Sequence, residues 1–386
     1  MPETSPTRPT QWSKTTLCST TFLLSLLVPV LAAVILYQLD SFDPAPLPTH
    51  EFSGQPVFIP LQNPCLLEYA ERVGVGELLG PEDLAYDPKL GVIYTGCSDG
   101  WIKRVAVNES AADSVVENWV NTGGRPLGLV LEHDNDVIVA DAVKGLMRVT
   151  GDGKLELLTN KAEGVEFRLT DGVDITDEGI IYFTDASSKY DIKETRWDML
   201  EGRPYGRFMS YDPLTKETQV LVRDLYFANG VAVSPDQQFV VFCETFMRRC
   251  KRYYMQGEKR GSVENFIDNL PGTPDNVRYD GEGHYWIGLA SGTSVVFYVA
   301  QRYPFVRKVM AIMEKYIGTP RTKNSGVLAV DLEGKPLAYY YDPALTLITG
   351  GIKIADHLYC GSLLKPYIIR LNLTHHPAIS GTTMKS

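Results

Sequence analysis

Apolar residues fall along this chain in two arrangements. Near the start they form one nearly unbroken run, Leu17 to Leu39, containing Phe22-Leu23-Leu24, Leu26-Leu27-Val28 and Leu31 through Leu36. About 20 such residues wound as a helix span about 30 Å, the thickness of a bilayer's hydrocarbon core. Beyond Pro64 the apolar residues come as short runs punctuated by turn residues, which is how hairpins read. The stretch between, rich in proline, reads as an extended linker.

The short runs repeat. Six segments open alike: Glu82-Asp83-Leu84-Ala85-Tyr86, Leu127-Gly128-Leu129-Val130-Leu131, Asp171-Gly172-Val173-Asp174-Ile175, Asn229-Gly230-Val231-Ala232-Val233, Asp275-Asn276-Val277-Arg278-Tyr279 and Gly350-Gly351-Ile352-Lys353-Ile354. In most of them a turn signal follows, such as Asp177-Glu178-Gly179 or Ser234-Pro235-Asp236, and then a second apolar run such as Ile180-Ile181-Tyr182-Phe183 or Phe239-Val240-Val241-Phe242. Six copies at intervals of about 40 to 75 residues mark a repeat architecture. Short strands joined by tight turns in each copy predict blades around a central channel. The expected fold is therefore all-β, a six-bladed β-propeller preceded by an N-terminal transmembrane helix. Residues 1–16 are assigned to a cytoplasmic tail, 17–39 to the anchor, 40–64 to the linker, 65–374 to the propeller and 375–386 to a C-terminal tail.

Two units carry insertions, Ser187 to Arg207 and Ser291 to Asn324. After Pro304, a residue suited to a first helical turn, Phe305, Val309, Ile312, Met313 and Tyr316 recur at helical spacing. A helix packed on one propeller face is the expectation; a lid, or an apolar surface touching a membrane, is the alternative.

Charge adds a topology. Arg8 and Lys14 precede the apolar run, and Asp40 and Asp43 follow it, which places the N-terminus in the cytoplasm and the rest in a lumen or outside. A cleaved signal peptide with its site near Val30-Leu31-Ala32 is the rival reading; the length of the run favours an anchor. The expected location is a secretory-pathway membrane, single-pass type II, in the endoplasmic reticulum, vacuole or plasma membrane. Glycosylation sequons at Asn108 and Asn372 agree with it. The formal net charge of −10, with no basic stripe, argues against a nucleic-acid partner. Of six cysteines, Cys243 and Cys250 either pair across a hairpin or remain two buried thiols. No CxxC pair exists to hold zinc.

In a propeller the residues that open the repeats converge on the axis. Here they are Glu82, Leu127, Asp171, Asn229, Asp275 and Gly350, with Asn276 beside Asp275. Three carboxylates and an amide with no histidine or cysteine predict a hard divalent cation, calcium by donor type. The alternative is polar residues that cap strands or hold ordered water. A small-molecule substrate or ligand is expected in the channel. Gly96-Cys97-Ser98-Asp99-Gly100 fits the nucleophile-elbow pattern, but a strand and not a helix follows it, so Ser98 reads as a turn residue. No histidine stands in the ring as a general base.

Several strings resemble those of plant strictosidine synthase-like proteins: Leu39-Asp40-Ser41-Phe42-Asp43-Pro44 after the apolar run, Gly80-Pro81-Glu82-Asp83, Tyr182-Phe183-Thr184-Asp185, Asn229-Gly230-Val231 and Pro274-Asp275-Asn276. Similar strings occur in the animal adipocyte plasma membrane-associated protein. The resemblance implies a six-bladed propeller. It also places the essential glutamate of the true synthases at Gly350, and their cysteine-bearing insertion is missing from the short Asn121–Pro126 stretch, so synthase-type condensation is not expected. Calcium-dependent lactonases and arylesterases share the wider superfamily. Their metal ligands resemble Glu82, Asn229, Asp275 and Asn276 of this chain, so the resemblance implies these as the ligand set. Their usual asparagine before Asp171 is Thr170 here, and a paraoxonase-type histidine falls at Leu127. The implied activity is metal-dependent hydrolysis of aryl esters or lactones with Asp171 as base; a non-catalytic ligand-binding scaffold of the endomembrane system is the first alternative and synthase-type condensation the second.

Overall fold

The structure, a computed structural model, describes residues 14–380 apart from 53, 54, 107, 133 and 134. The tail before Lys14, His133 and residues 381–386 lie outside the described residues. Six four-stranded antiparallel units follow one another along the chain. Their inner strands are Leu84–Asp87, Pro126–Leu131, Thr170–Ile175, Ala228–Val233, Gly272–Tyr279 and Ile348–Ile354, called blades 1 to 6. Blade 6 takes its outer strand from the N-terminal side: Glu71–Val73 pairs antiparallel with Ile368–Asn372. This joins the two ends of the repeat, so the ring closes without a free edge at the seam. Leu61–Asn63, from the stretch read as linker, runs parallel to the outer strand of blade 5, and Ile379–Ser380 pairs with it in turn.

The core is divided into six apolar layers, one between each pair of neighbouring blades. Between blades 1 and 2, for example, Ala85, Tyr94 and Ile102 meet Leu129, Val137 and Val139. Strands walled on both faces lose the alternation of a half-exposed sheet, and Val137–Asp141 and Ala228–Val233 are buried at every position.

The repeated glycine after the ring residue explains how the inner strands meet. A Cβ on Gly172 would lie 2.6 Å from the Asn229 carbonyl oxygen, and one on Gly230 would lie 2.5 Å from that of Asp275. Backbone therefore approaches backbone around the axis, which no larger residue permits. Threonines tie the same contacts: Thr184 Oγ1 donates to Asn229 O at 2.8 Å, Thr245 Oγ1 to Pro274 O at 2.7 Å and Thr349 Oγ1 to Glu82 O at 2.6 Å.

Both insertions join the second and third strands of their blades, at the end of the channel where the inner strands begin. The first forms α2 (Thr195–Glu201), the second α3 (Val295–Arg302) and α4 (Pro304–Tyr316). α4 starts at Pro304 as its spacing predicts; α3 is additional. Arg307 of α4 is buried and binds the cap together. It donates to the carbonyls of Ala300, Leu200, Glu201 and Ala45, so one guanidinium joins both insertions to the N-terminal segment. Burial lowers its pKa to about 10.

α1 (Lys14–Leu39) covers the run assigned to the anchor. Among the described residues, no helix is long and apolar enough to cross a membrane. Side chains of residues 17–24 lie outside the described set, and the exposed ones nearer the end include Leu31, Ile35 and Leu39.

Candidate functional site

The ring residues converge. Glu82, Asp171 and Asp275 are buried, and each brings a carboxylate oxygen within 4.8 Å of the others. Asn229 and Asn276, also buried, join them. Asn276 Nδ2 donates to Glu82 Oε1 at 2.7 Å, while a hydrogen bond from Asn229 stabilises the charge on Asp275. Glu82 Oε2 and Asn229 Oδ1, both buried, have no hydrogen-bond partner.

Such a cluster resists ionisation. Burial is the main cause, and it lifts Glu82 and Asp171 well above the usual carboxylate range. The Asp275 and Asp83 charges raise both further, and Arg125 opposes them. Asp275 is pushed up to about 8, again chiefly by burial. Arg125 does not neutralise the cluster by direct bonding: its guanidinium donates to the carbonyls of Gly96, Pro126 and Gly80.

The donor set fits a hard cation. It is all oxygen, from carboxylates and side-chain amides, and two of its oxygens are buried without a partner. Glu82, Asn229, Asp275 and Asn276 are the residues that would hold such an ion, with the Asp171 carboxylate beside them.

Gly350 and Leu127 occupy the remaining ring positions. A Cβ on Gly350 would sit 3.3 Å from Asn276 Cβ, so the position lines the site and carries no carboxylate. Leu127 packs instead with Leu169, Ala186 and Phe227, against Ile192 and Met199 of the first insertion. Leu169 and Phe227 stand two residues before Asp171 and Asn229, so an apolar collar lies on the mouth side of the acids.

Sequence reasoning missed three sets of supporting residues. Asp141, Asp185 and Glu244 end the second strands of blades 2 to 4, and each accepts from a backbone N–H at the entrance to the inner strand of its own blade: Arg125 at 3.1 Å, Leu169 at 3.0 Å and Tyr226 at 3.0 Å. Their shared place in the repeat is a signal that could have found them. Arg278 reaches Asp83, with Nε 3.1 Å from Oδ1, and also the Leu129 carbonyl. It closes the channel one step beyond the acids. Thr184, Thr245 and Thr349 complete the list.

Other residues of chemical interest lie away from the ring. Ser98 is in the turn between two strands of blade 1. His284 bonds Asp280 at 3.0 Å, away from the ring. Cys243 and Cys250 form a disulfide between the second and third strands of blade 4. Asn108 is exposed, whereas the Asn372 amide contacts His357 at 3.3 Å and is partly buried.

Comparison with known proteins agrees with this architecture. The profile described as "Strictosidine synthase" matches residues 171–258, and "Strictosidine synthase-like, N-terminal" matches 65–105. Strictosidine synthase-like protein 6 of Arabidopsis thaliana is 54% identical over 92% of this chain and 95% of its own length. The adipocyte plasma membrane-associated protein of Gallus gallus is 32% identical over 91% of this chain and 88% of its own. Two solved structures share the fold at low identity. A gluconolactonase of Xanthomonas campestris has a TM-score of 0.56 at 14% identity, covering 83% of this chain and 95% of that one. A calcium-binding regucalcin of Agrobacterium tumefaciens has 0.54 at 17%, covering 78% and 93%. Ring register, closure and full-length similarity agree: the chain belongs to the strictosidine synthase-like family.

Proposed function

We propose that this propeller is a calcium-dependent hydrolase of aryl esters or lactones. The observation that carries the reading is the buried, all-oxygen cluster of Glu82, Asp171 and Asp275 with unpartnered oxygens on Glu82 and Asn229. Lactonase and calcium-binding neighbours share the fold. A divalent cation there would supply Lewis-acid polarisation of a carbonyl. The chain's own residues do the rest. Asp171 offers a carboxylate beside the reacting position as proton acceptor, Asn229 and Asn276 orient the acids, and the Leu127–Phe227 collar takes the apolar part of the substrate and excludes water. Gly350 supplies no proton-transfer group, which speaks against synthase-type condensation.

The same reading includes a tether: α1 anchors the chain in a secretory-pathway membrane with the propeller on the luminal side. The apolar run Leu17–Leu39, the sequons and the Cys243–Cys250 disulfide support it, since disulfides persist in oxidising compartments. Protease protection of the propeller in sealed microsomes tests the orientation.

The activity is tested on the purified chain with a panel of aryl esters and lactones. Hydrolysis lost in chelator, restored by calcium and lost in Glu82→Gln is the expected result. Calcium bound at one per chain with no turnover across the panel would overturn the enzyme and leave a ligand-binding propeller.

A further inference from the structure

The insertion of blade 5 is inside out. In α3 and α4 the residues turned to the protein include Gln301 and Arg307, both buried; Gln301 Nε2 donates to the Phe246 carbonyl at 2.9 Å. The inward face is completed by two small residues, Ala300 and Ala311, and the large apolar residues turn to solvent beside Arg302 and Lys315: Val295 is 79% exposed, Val296 58%, Phe305 57%, Tyr316 60% and Ile317 74%. A water-facing cap would have the reverse pattern. An exposed apolar patch of this kind marks a contact surface.

Charge indicates what it contacts. The chain as a whole carries −10, yet between Ser294 and Asn324 the basic residues Arg302, Lys308, Lys315, Arg321 and Lys323 flank the apolar ones. The single acid in that segment, Glu314, is bonded by Arg196 at 2.6 Å and by Thr319. Apolar side chains ringed by Lys and Arg, with Tyr298, Tyr303 and Tyr316 among them, match an interfacial helix lying on an anionic bilayer. The patch also adjoins the end of α1: Lys308 Nζ lies 4.8 Å from the Tyr37 ring centre, and Lys315 pairs with Asp40 at 3.2 Å.

We infer that the exposed face of α3 and α4 docks on an anionic lipid surface and holds the mouth of the propeller against it. The inference is independent of the hydrolase reading and needs no bound metal. Because the cap stands at the end of the channel where the inner strands begin, docking turns that end, and not the far one, towards lipid.

The test uses the full chain in vesicles of phosphatidylcholine with phosphatidylserine, and in phosphatidylcholine alone. An environment-sensitive fluorophore is placed on Val296→Cys, Phe305→Cys, Leu31→Cys in α1, and Leu214→Cys, which is 92% exposed at the far end of blade 3. The unsubstituted chain measures background labelling. The expected result is a blue shift and quenching by brominated acyl chains at positions 296 and 305 but not at 214. The effect should weaken without phosphatidylserine and in the Arg302→Glu, Arg321→Glu, Lys323→Glu triple variant. Water-like emission at 296 and 305 in the anionic vesicles overturns the inference whatever position 31 shows. Position 31 separately reports whether the tether holds.

Discussion

Two layers of buried acid lie next to each other along the channel, and they are housed by different means. In the far layer Asp83 accepts from the N–H groups of Leu84 and Leu129 and from Arg278. Asp174 there accepts from Val233 N at 2.7 Å and Ile175 N at 2.9 Å, with the Arg278 charge offsetting its burial. In the near layer Glu82, Asp171 and Asp275 face one another with amides for company, and a buried oxygen on Glu82 is left over. The far layer is complete as folded and reads as a structural plug. The near layer keeps buried oxygens without a partner, which is what the proposed cation would satisfy and what separates it from a plug built of the same residue types.

The contrast can be broken by removing the cation that the protein itself supplies. Arg278→Met strands Asp83 in the interior and is expected to cost about 3–5 kcal/mol, read as a lower denaturation midpoint. Adding Asp83→Asn should recover part of that loss. A midpoint unchanged by Arg278→Met would remove the distinction between the layers.

A further buried acid, outside both layers, sharpens the comparison, because the side chain that bonds it is a hydroxyl and not a cation. Asp198 of α2 accepts from Ser187 Oγ at 2.5 Å, and burial raises its pKa from 3.8 to about 7. The folded carboxyl keeps its proton up to about pH 7 and the unfolded one loses it near pH 3.8, so the contribution to stability is complete below the lower value and is lost as pH rises through the upper one. The loss across that window is about 4 kcal/mol. Asp198→Asn should flatten the stability profile over it, measured by denaturant unfolding at a series of pH values.

The near layer should respond to metal with opposite signs. In chelator, Asp275→Asn relieves repulsion and is expected to leave stability equal or higher. With calcium at a hundredfold excess over its Kd, the unsubstituted chain gains about 2.7 kcal/mol and the variant gains nothing. The smallest effect is expected for Gly350→Ala. Its Cβ meets Asn276 at 3.3 Å with no unfavourable backbone angle, so a change below about 1 kcal/mol with calcium binding retained is expected from calorimetry.

Much of this was legible in the chain because a propeller converts sequence register into spatial convergence. Glu82, Asp171, Asn229 and Asp275 hold the same place in the first, third, fourth and fifth repeats and therefore meet, and the glycines after Asp171 and Asn229 mark where backbones touch. Arg278 escaped because it lies three residues past the register position, in a strand where a lone arginine reads as solvent-facing. Arg307 escaped for a similar reason: within a helix of apolar spacing, a basic residue is expected on the outer face, and here it is buried by four carbonyl bonds. α3 was missed because Val295-Val296-Phe297-Tyr298-Val299 has strand-like composition, and it is the Ser294 side chain, accepting from Phe297 N at 3.2 Å, that starts a helix there. The Cys243–Cys250 pairing was left open by spacing alone and is decided by cross-strand register, which sets the two residues opposite each other.

The most direct test of the account is the calcium content of the full chain after exhaustive chelation and re-equilibration with the ion, measured beside Asp275→Ala. One tightly held calcium per chain that is absent from the folded variant is the predicted result. A folded parent chain that retains none, or a variant that binds as much as the parent, would contradict it.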